Sequence, residues 1–88
     1  MAFDWKIIYT KQALSDLHRF SVATQRRIAD KVRFFTLNNP LKFAKKLVNN
    51  ELGGFRFRIG DYRVVFDIVK NNKEIFILKI AKRDEIYK

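Results

Sequence analysis

No cysteine occurs among the 88 residues, which removes disulfide scaffolds, iron–sulfur clusters, thiol nucleophiles and zinc ribbons. A single histidine, His18, excludes paired-histidine metal sites and two-histidine acid–base catalysis. No apolar run approaches the roughly 18 residues of a membrane span, and the opening Met-Ala-Phe-Asp-Trp has neither a basic region nor an apolar core of a signal peptide. Acidic residues are scarce beside basic ones: nine against nineteen, a net charge of +10. These absences point to a cytoplasmic protein with no membrane segment, no metal and no cofactor. The length allows one domain, 1–88.

Apolar residues make up 48% of the chain, nine of them Phe, which is enough for a packed core rather than disorder. The positive excess is spread, +4 over residues 1–40 and +6 over 41–88, with no basic tail and no repeat. The basic groups therefore decorate folded surface, and their field suits a phosphate polymer or an acidic protein.

Trp5–Tyr9 is apolar and β-branched, a strand candidate. Thr10 is placed to cap a helix over Lys11–Phe20, with Ala13, Leu14, Leu17 and Phe20 on one face. Ser21 is placed to cap a second helix, Val22–Leu37, with Ile28, Val32 and Phe35 as its stripe. Asn38-Asn39-Pro40 ends it, because proline disfavours helix in the residue before it. The stretch Leu41–Leu52 reads equally as a helical turn or as a loop with a short strand.

After Gly54 the period becomes two. Phe55–Ile59, Tyr62–Val69 and Glu74–Lys82 read as three strands, the first two joined by a two-residue Gly60-Asp61 turn of type II′. The expected fold class is α+β, in the order β-α-α-β-β-β, with a helical hairpin on one face of a mainly antiparallel four-stranded sheet. The attachment of the first strand is left open.

The two-residue turn fixes a register: Ile59 faces Tyr62, Arg58 faces Arg63, Phe57 faces Val64 and Arg56 faces Val65. The apolar set then lies under the helices and Arg56, Arg58 and Arg63 share the other face. At the next turn a three-residue loop, Asn71-Asn72-Lys73, pairs Phe66 with Leu78 and Ile68 with Phe76. It also places Lys79 opposite Val65, on the arginine face. Arg83 falls near the Gly60-Asp61 turn. Arg58 opposite Arg63 is a like-charge pair that disfavours the sheet. Such a local conflict is most often found where function requires it. The expected product is a cationic surface with rigid backing, suited to a phosphodiester and the charge of its transition state.

The run Phe55-Arg56-Phe57-Arg58-Ile59-Gly60-Asp61-Tyr62-Arg63-Val64-Val65-Phe66, with the ending Ala81-Lys82-Arg83-Asp84-Glu85-Ile86-Tyr87-Lys88, resembles the RelE/ParE toxins of bacterial and archaeal type II toxin–antitoxin modules. The resemblance covers the whole length, and its element order agrees with the order read from the residues. RelE-like members are ribosome-dependent messenger RNA endoribonucleases, in which the 2′-OH attacks the adjacent phosphate. The resemblance implies catalytic positions at Arg58, Arg63, Arg83 and Tyr87. Arg63 would hold the phosphate, Arg83 assist the leaving group and Tyr87 stack on the substrate. Arg56, Lys79 and Lys82 would contact RNA. A RelE enzyme carries lysine at the positions of Arg56 and Arg58, and the second is its candidate base. Arginine has donors and no acceptor, so Arg58 suits that task poorly, and Asp61, Asp84 and Glu85 are the substitutes at hand.

The resemblance also implies partners: an acidic RelB-like antitoxin in a hetero-oligomer, the ribosome and mRNA. Two other functions stay open beside the nuclease, a ParE-like inhibitor of DNA gyrase and a non-catalytic nucleic-acid-binding relative. Among residues outside the motif, His18 reads as a half-exposed helix residue, and Ser15 and Ser21 have no histidine partner for a triad. Gly53, Gly54 and Gly60 are turn glycines. Arg26, Arg27, Lys31 and Arg33 read as a solvated helix face, or a docking strip for an acidic partner or ribosomal RNA.

Overall fold

The computed structural model describes residues 5–47 and 53–85. In chain order the elements are β1 (Lys6–Tyr9), α1 (Lys11–His18), α2 (Val22–Leu37), α3 (Pro40–Phe43), β2 (Ala44–Lys46), β3 (Phe55–Ile59), β4 (Tyr62–Val69) and β5 (Glu74–Lys82). The sheet has five strands in the order β1-β5-β4-β3-β2, one more than the four expected. The additional strand comes from the segment that sequence left ambiguous, whose described part holds a helical turn and a short strand in succession, while residues 48–52 lie outside the described residues. Pro40 suits the first turn of α3, where its missing N–H costs nothing. Ala44–Lys46 then pairs antiparallel with β3 along its outer edge. The first strand lies at the opposite edge and runs parallel to β5, Ile7 beside Ile75 and Tyr9 beside Ile77.

Both helix starts are fixed by hydroxyls. Thr10 Oγ1 accepts the N–H of Ala13 at 3.2 Å and Ser21 Oγ accepts that of Thr24 at 3.2 Å, each satisfying a donor that a helix N-terminus leaves open. Ala13, Leu17, Ile28, Val32 and Phe35 bury against Phe57, Ile59, Val64, Phe66, Ile75, Ile77 and Ile80 of the sheet. Phe57 stacks between neighbours, with ring centroids 4.2 Å from Phe66 and 4.9 Å from Phe35. Leu14, expected in this face, is exposed; the turn of α1 facing the sheet carries Asp16 instead.

The β3–β4 register is as read from the turn: Ile59–Tyr62, Arg58–Arg63, Phe57–Val64, Arg56–Val65. The β4–β5 register agrees only near that turn. Val64 faces Ile80 and Val65 faces Lys79, but a bulge follows, and Phe66 then faces Ile77 rather than Leu78, and Ile68 faces Ile75 rather than Phe76. Leu78 has no partner in β4, and the far connection is four residues, Lys70–Lys73, not three. The bulge changes which side of β5 faces the helices. Ile75, Ile77 and Ile80 are all fully buried there, whereas Phe76 and Leu78 were expected in the core and are half-buried on the other face.

That other face is not a plain solvated surface. Val65 and Ala81 are buried in a small second cluster with Leu47. Gly53 lies directly on it: a β-carbon there would come within 2.8 Å of both Leu78 Cδ1 and Val65 Cγ1. Asp67 accepts the N–H of Gly54 at 2.6 Å, and Leu47 donates to the Gly54 carbonyl at 2.9 Å. The chain entering β3 is thus tied down over the middle of the sheet.

Candidate nucleic-acid interface

At one end of the sheet the Gly60-Asp61 turn joins β3 to β4. Gly60 has φ +57° and Asp61 has no positive φ, the pattern of a type II′ turn. Its strand twist matches the flanking strands, so the turn is a rigid mount for the residues beside it. Arg83, just past β5, donates its backbone N–H to the Asp61 carbonyl at 2.8 Å. The expected meeting of Arg58, Arg63 and Arg83 around this turn is therefore present.

Their surroundings differ. Arg58 and Arg83 are exposed, and among the described residues neither side chain enters an ion pair or hydrogen bond. Arg63 is only 5% exposed. Its Nη1 donates to the carbonyls of Gly60 and Tyr62, both at 3.0 Å. Arg63 stands opposite Arg58 as expected, but its guanidinium folds back onto its own turn and satisfies two carbonyls there. Charge is nevertheless concentrated: Arg58 and Arg63 stand directly opposite, and so do Lys45 of β2 and Arg56. Arg56 is half-buried and engaged with neighbours. Lys79 is half-buried opposite Val65.

Lys82 lies elsewhere. It pairs with Tyr62, so it shares the helix-side face and not the face of Arg58 and Lys79. Tyr62 is half-buried there, its ring edge-on to Phe20 at 5.0 Å. Tyr87, with Ile86 and Lys88, lies outside the described residues. Asp61, Asp84 and Glu85 are exposed at this end of the sheet and enter no ion pair among the described residues. His18 is exposed on α1. Among the described residues no cluster of three or more His, Asp or Glu side chains is placed to hold a metal ion, and no helix is long and apolar enough to cross a membrane.

One basic residue that the sequence placed on a solvated helix face or a docking strip lies against the turn. Arg27, on α2, lays its guanidinium over Gly60: a β-carbon there would lie 3.3 Å from Cζ and 3.8 Å from Nη1, and closer still to Nη2. Helical periodicity gave no sign of this, because the contact depends on how α2 crosses the hairpin. The sole sequence signal was the need for glycine at position 60.

The fold and its cationic end define a small basic α+β protein built to present charge from a rigid hairpin. The family model for the ParE toxin of type II toxin–antitoxin systems matches residues 7–87. A curated relative, toxin RelE of Mycobacterium tuberculosis, is 32% identical over 84 residues, covering 96% of this chain and 87% of that protein. Among solved structures, the archaeal RelE–RelB complex from Pyrococcus horikoshii is 28% identical with a TM-score of 0.72, covering 92% of this chain and 97% of that one. The toxin–antitoxin complex RelBE of Mycobacterium tuberculosis has the same fold at a TM-score of 0.81 and 24% identity, covering 90% of this chain and 98% of that one. The chain belongs to the RelE/ParE superfamily of toxins of type II toxin–antitoxin systems.

Proposed function

We propose that the protein is a ribosome-dependent mRNA endoribonuclease held inactive by an acidic antitoxin. The observation that carries this reading is the pair of exposed guanidinium groups, Arg58 and Arg83, mounted on one hydrogen-bonded turn of a RelE-like toxin. In the reaction the 2′-OH attacks the neighbouring phosphorus. The bond to the 5′-oxygen breaks, leaving a 2′,3′-cyclic phosphate and a 5′-OH. Charge grows on the equatorial oxygens and on the leaving oxygen, and preorganised cations are the means of stabilising it. Arg58 engages the equatorial oxygens through its fork of donors and Arg83 the leaving oxygen. Arg63 acts as a positioning residue, holding the turn that carries both. Tyr87 is proposed to stack on the base, and Arg56, Lys79 and Lys82 to contact the RNA backbone. An arginine accepts no proton, so the 2′-OH is deprotonated by Asp61, Asp84 or Glu85, or by a group the ribosome supplies.

The antitoxin follows from the solved RelE–RelB assemblies and from charge: a +10 surface with facing like charges is stabilised by an acidic partner. A second reading, a ParE-like inhibitor of gyrase, is favoured by the match to the ParE family model and by the lack of an ordinary base at position 58. Primer extension on messages after induction, run beside a supercoiling assay, separates the two. Ribosome-dependent cuts with unaffected supercoiling support the nuclease; inhibited supercoiling with intact messages supports the other.

A further inference from the structure

The Gly60-Asp61 turn has cations on both of its sides. Arg58 lies on the outer face, while Arg27 and Lys82 lie on the helix side. Both of the latter are exposed, and among the described residues neither enters an ion pair or hydrogen bond through its side chain. The Arg27 guanidinium lies against the Gly60 backbone where any other residue would put a side chain, so glycine at position 60 leaves room for it beside the turn. The nearest acid on α2 is taken, since Asp30 pairs with Arg33 at 3.6 Å. Among the described residues the donors of Arg27 enter no ion pair or hydrogen bond and face solvent beside the turn.

We propose that Arg27 and Lys82 form a second phosphate-binding shelf, so that bound RNA straddles the hairpin turn. One backbone phosphate lies on the Arg58 side and a neighbouring one on the Arg27–Lys82 side. Tyr62 stands on the same side as Lys82, half-buried with its ring edge-on to Phe20. The proposal rests on the nuclease reading for its ligand, but concerns residues that reading does not need for chemistry. Arg27 supplies affinity and the direction of the strand, not transition-state charge.

The test is the salt dependence of binding of a short single-stranded RNA to the isolated protein. Each lost phosphate contact should reduce the slope of log K against log salt by about 0.7. Arg27→Gln should lower the slope by about that amount, and Arg27→Gln with Lys82→Gln by about 1.4. Arg27→Lys should keep the wild-type slope. Melting temperatures close to wild type show that the variants are folded; the glutamines keep most of each stem for that purpose, and Arg27→Met serves as a second neutral variant. An unchanged slope in the double variant, with wild-type binding intact, overturns the shelf alone. Wild-type protein without salt-dependent RNA binding overturns the shelf, and the nuclease reading is then decided separately by cleavage in a programmed ribosome. If the double variant keeps the RNA slope but loses affinity for polyglutamate, the shelf serves an acidic polypeptide and the proposal is wrong.

Discussion

The carboxylate of Asp16 accepts the backbone N–H of Ile80 at 2.9 Å, across 64 residues of sequence, and both residues are buried. Strand β1 pairs with β5 only as far as Ile77. Beyond it Thr10 donates its backbone N–H, at 3.0 Å, and its hydroxyl, at 2.8 Å, to the Ile77 carbonyl, and Asp16 takes up the Ile80 donor. Helix α1 thus continues the edge that β1 leaves unpaired. Gln12 donates to the same carboxylate at 2.8 Å and holds it in place.

Removing that acceptor leaves a buried N–H without a partner, which costs about 1–3 kcal/mol. Asp16→Ala is expected to lower the melting temperature by roughly 4–8 °C per kcal/mol in a domain of this size. Thermal unfolding followed by circular dichroism checks this, and a change under about 2 °C contradicts it.

Arg58 and Arg63 face each other but should respond oppositely to substitution. Arg63 is buried and bonded to two carbonyls, so Arg63→Ala is expected to destabilise by about 1–3 kcal/mol. Arg58 is exposed, and Arg58→Gln removes a like-charge pair, so the isolated protein should gain some tenths of a kcal/mol. Urea unfolding of the two variants side by side gives both signs in one experiment.

Gly60 is constrained by its positive φ, and the guanidinium of Arg27 lies against it. Gly60→Ala should cost about 1–3 kcal/mol from the backbone alone. Placing the same change in an Arg27→Ala background should cost less, because the collision is gone. A double-mutant cycle measures the difference, and full additivity contradicts the contact.

Burial pushes the Tyr9 phenol above its ordinary value of 10.0, and this outweighs the opposing effect of Arg33. The folded state then holds that proton longer than the unfolded chain. Its contribution to stability is intact below about pH 10 and lost as pH rises through the folded value. Tyr9→Phe should flatten the fall in stability above pH 10, as measured by denaturant midpoints across that range.

The turn end of the sheet was legible in the sequence because one short loop of known geometry fixes every pair beside it, from Ile59–Tyr62 to Arg56–Val65. The far end was not. Glu74-Ile75-Phe76-Ile77-Leu78 is apolar in both phases, so alternation cannot choose a face, and the bulge at Leu78 is invisible to it. Asp16 and Arg63 were unreadable for a related reason. A charged residue on a helix or an outer strand looks solvated until tertiary contacts supply a backbone partner. Strand parity alone puts Lys82 on the helix side, and the register bears that out.

The central claim, that Arg58 and Arg83 stabilise charge during RNA cleavage, is tested most directly by single-turnover cleavage of messenger RNA in a programmed ribosome. Arg58→Ala and Arg83→Ala should each slow cleavage by about 10²–10³-fold, with ribosome binding weakened far less. Cleavage by both variants at the wild-type rate, or no cleavage by the wild-type protein while growth inhibition persists, contradicts the account.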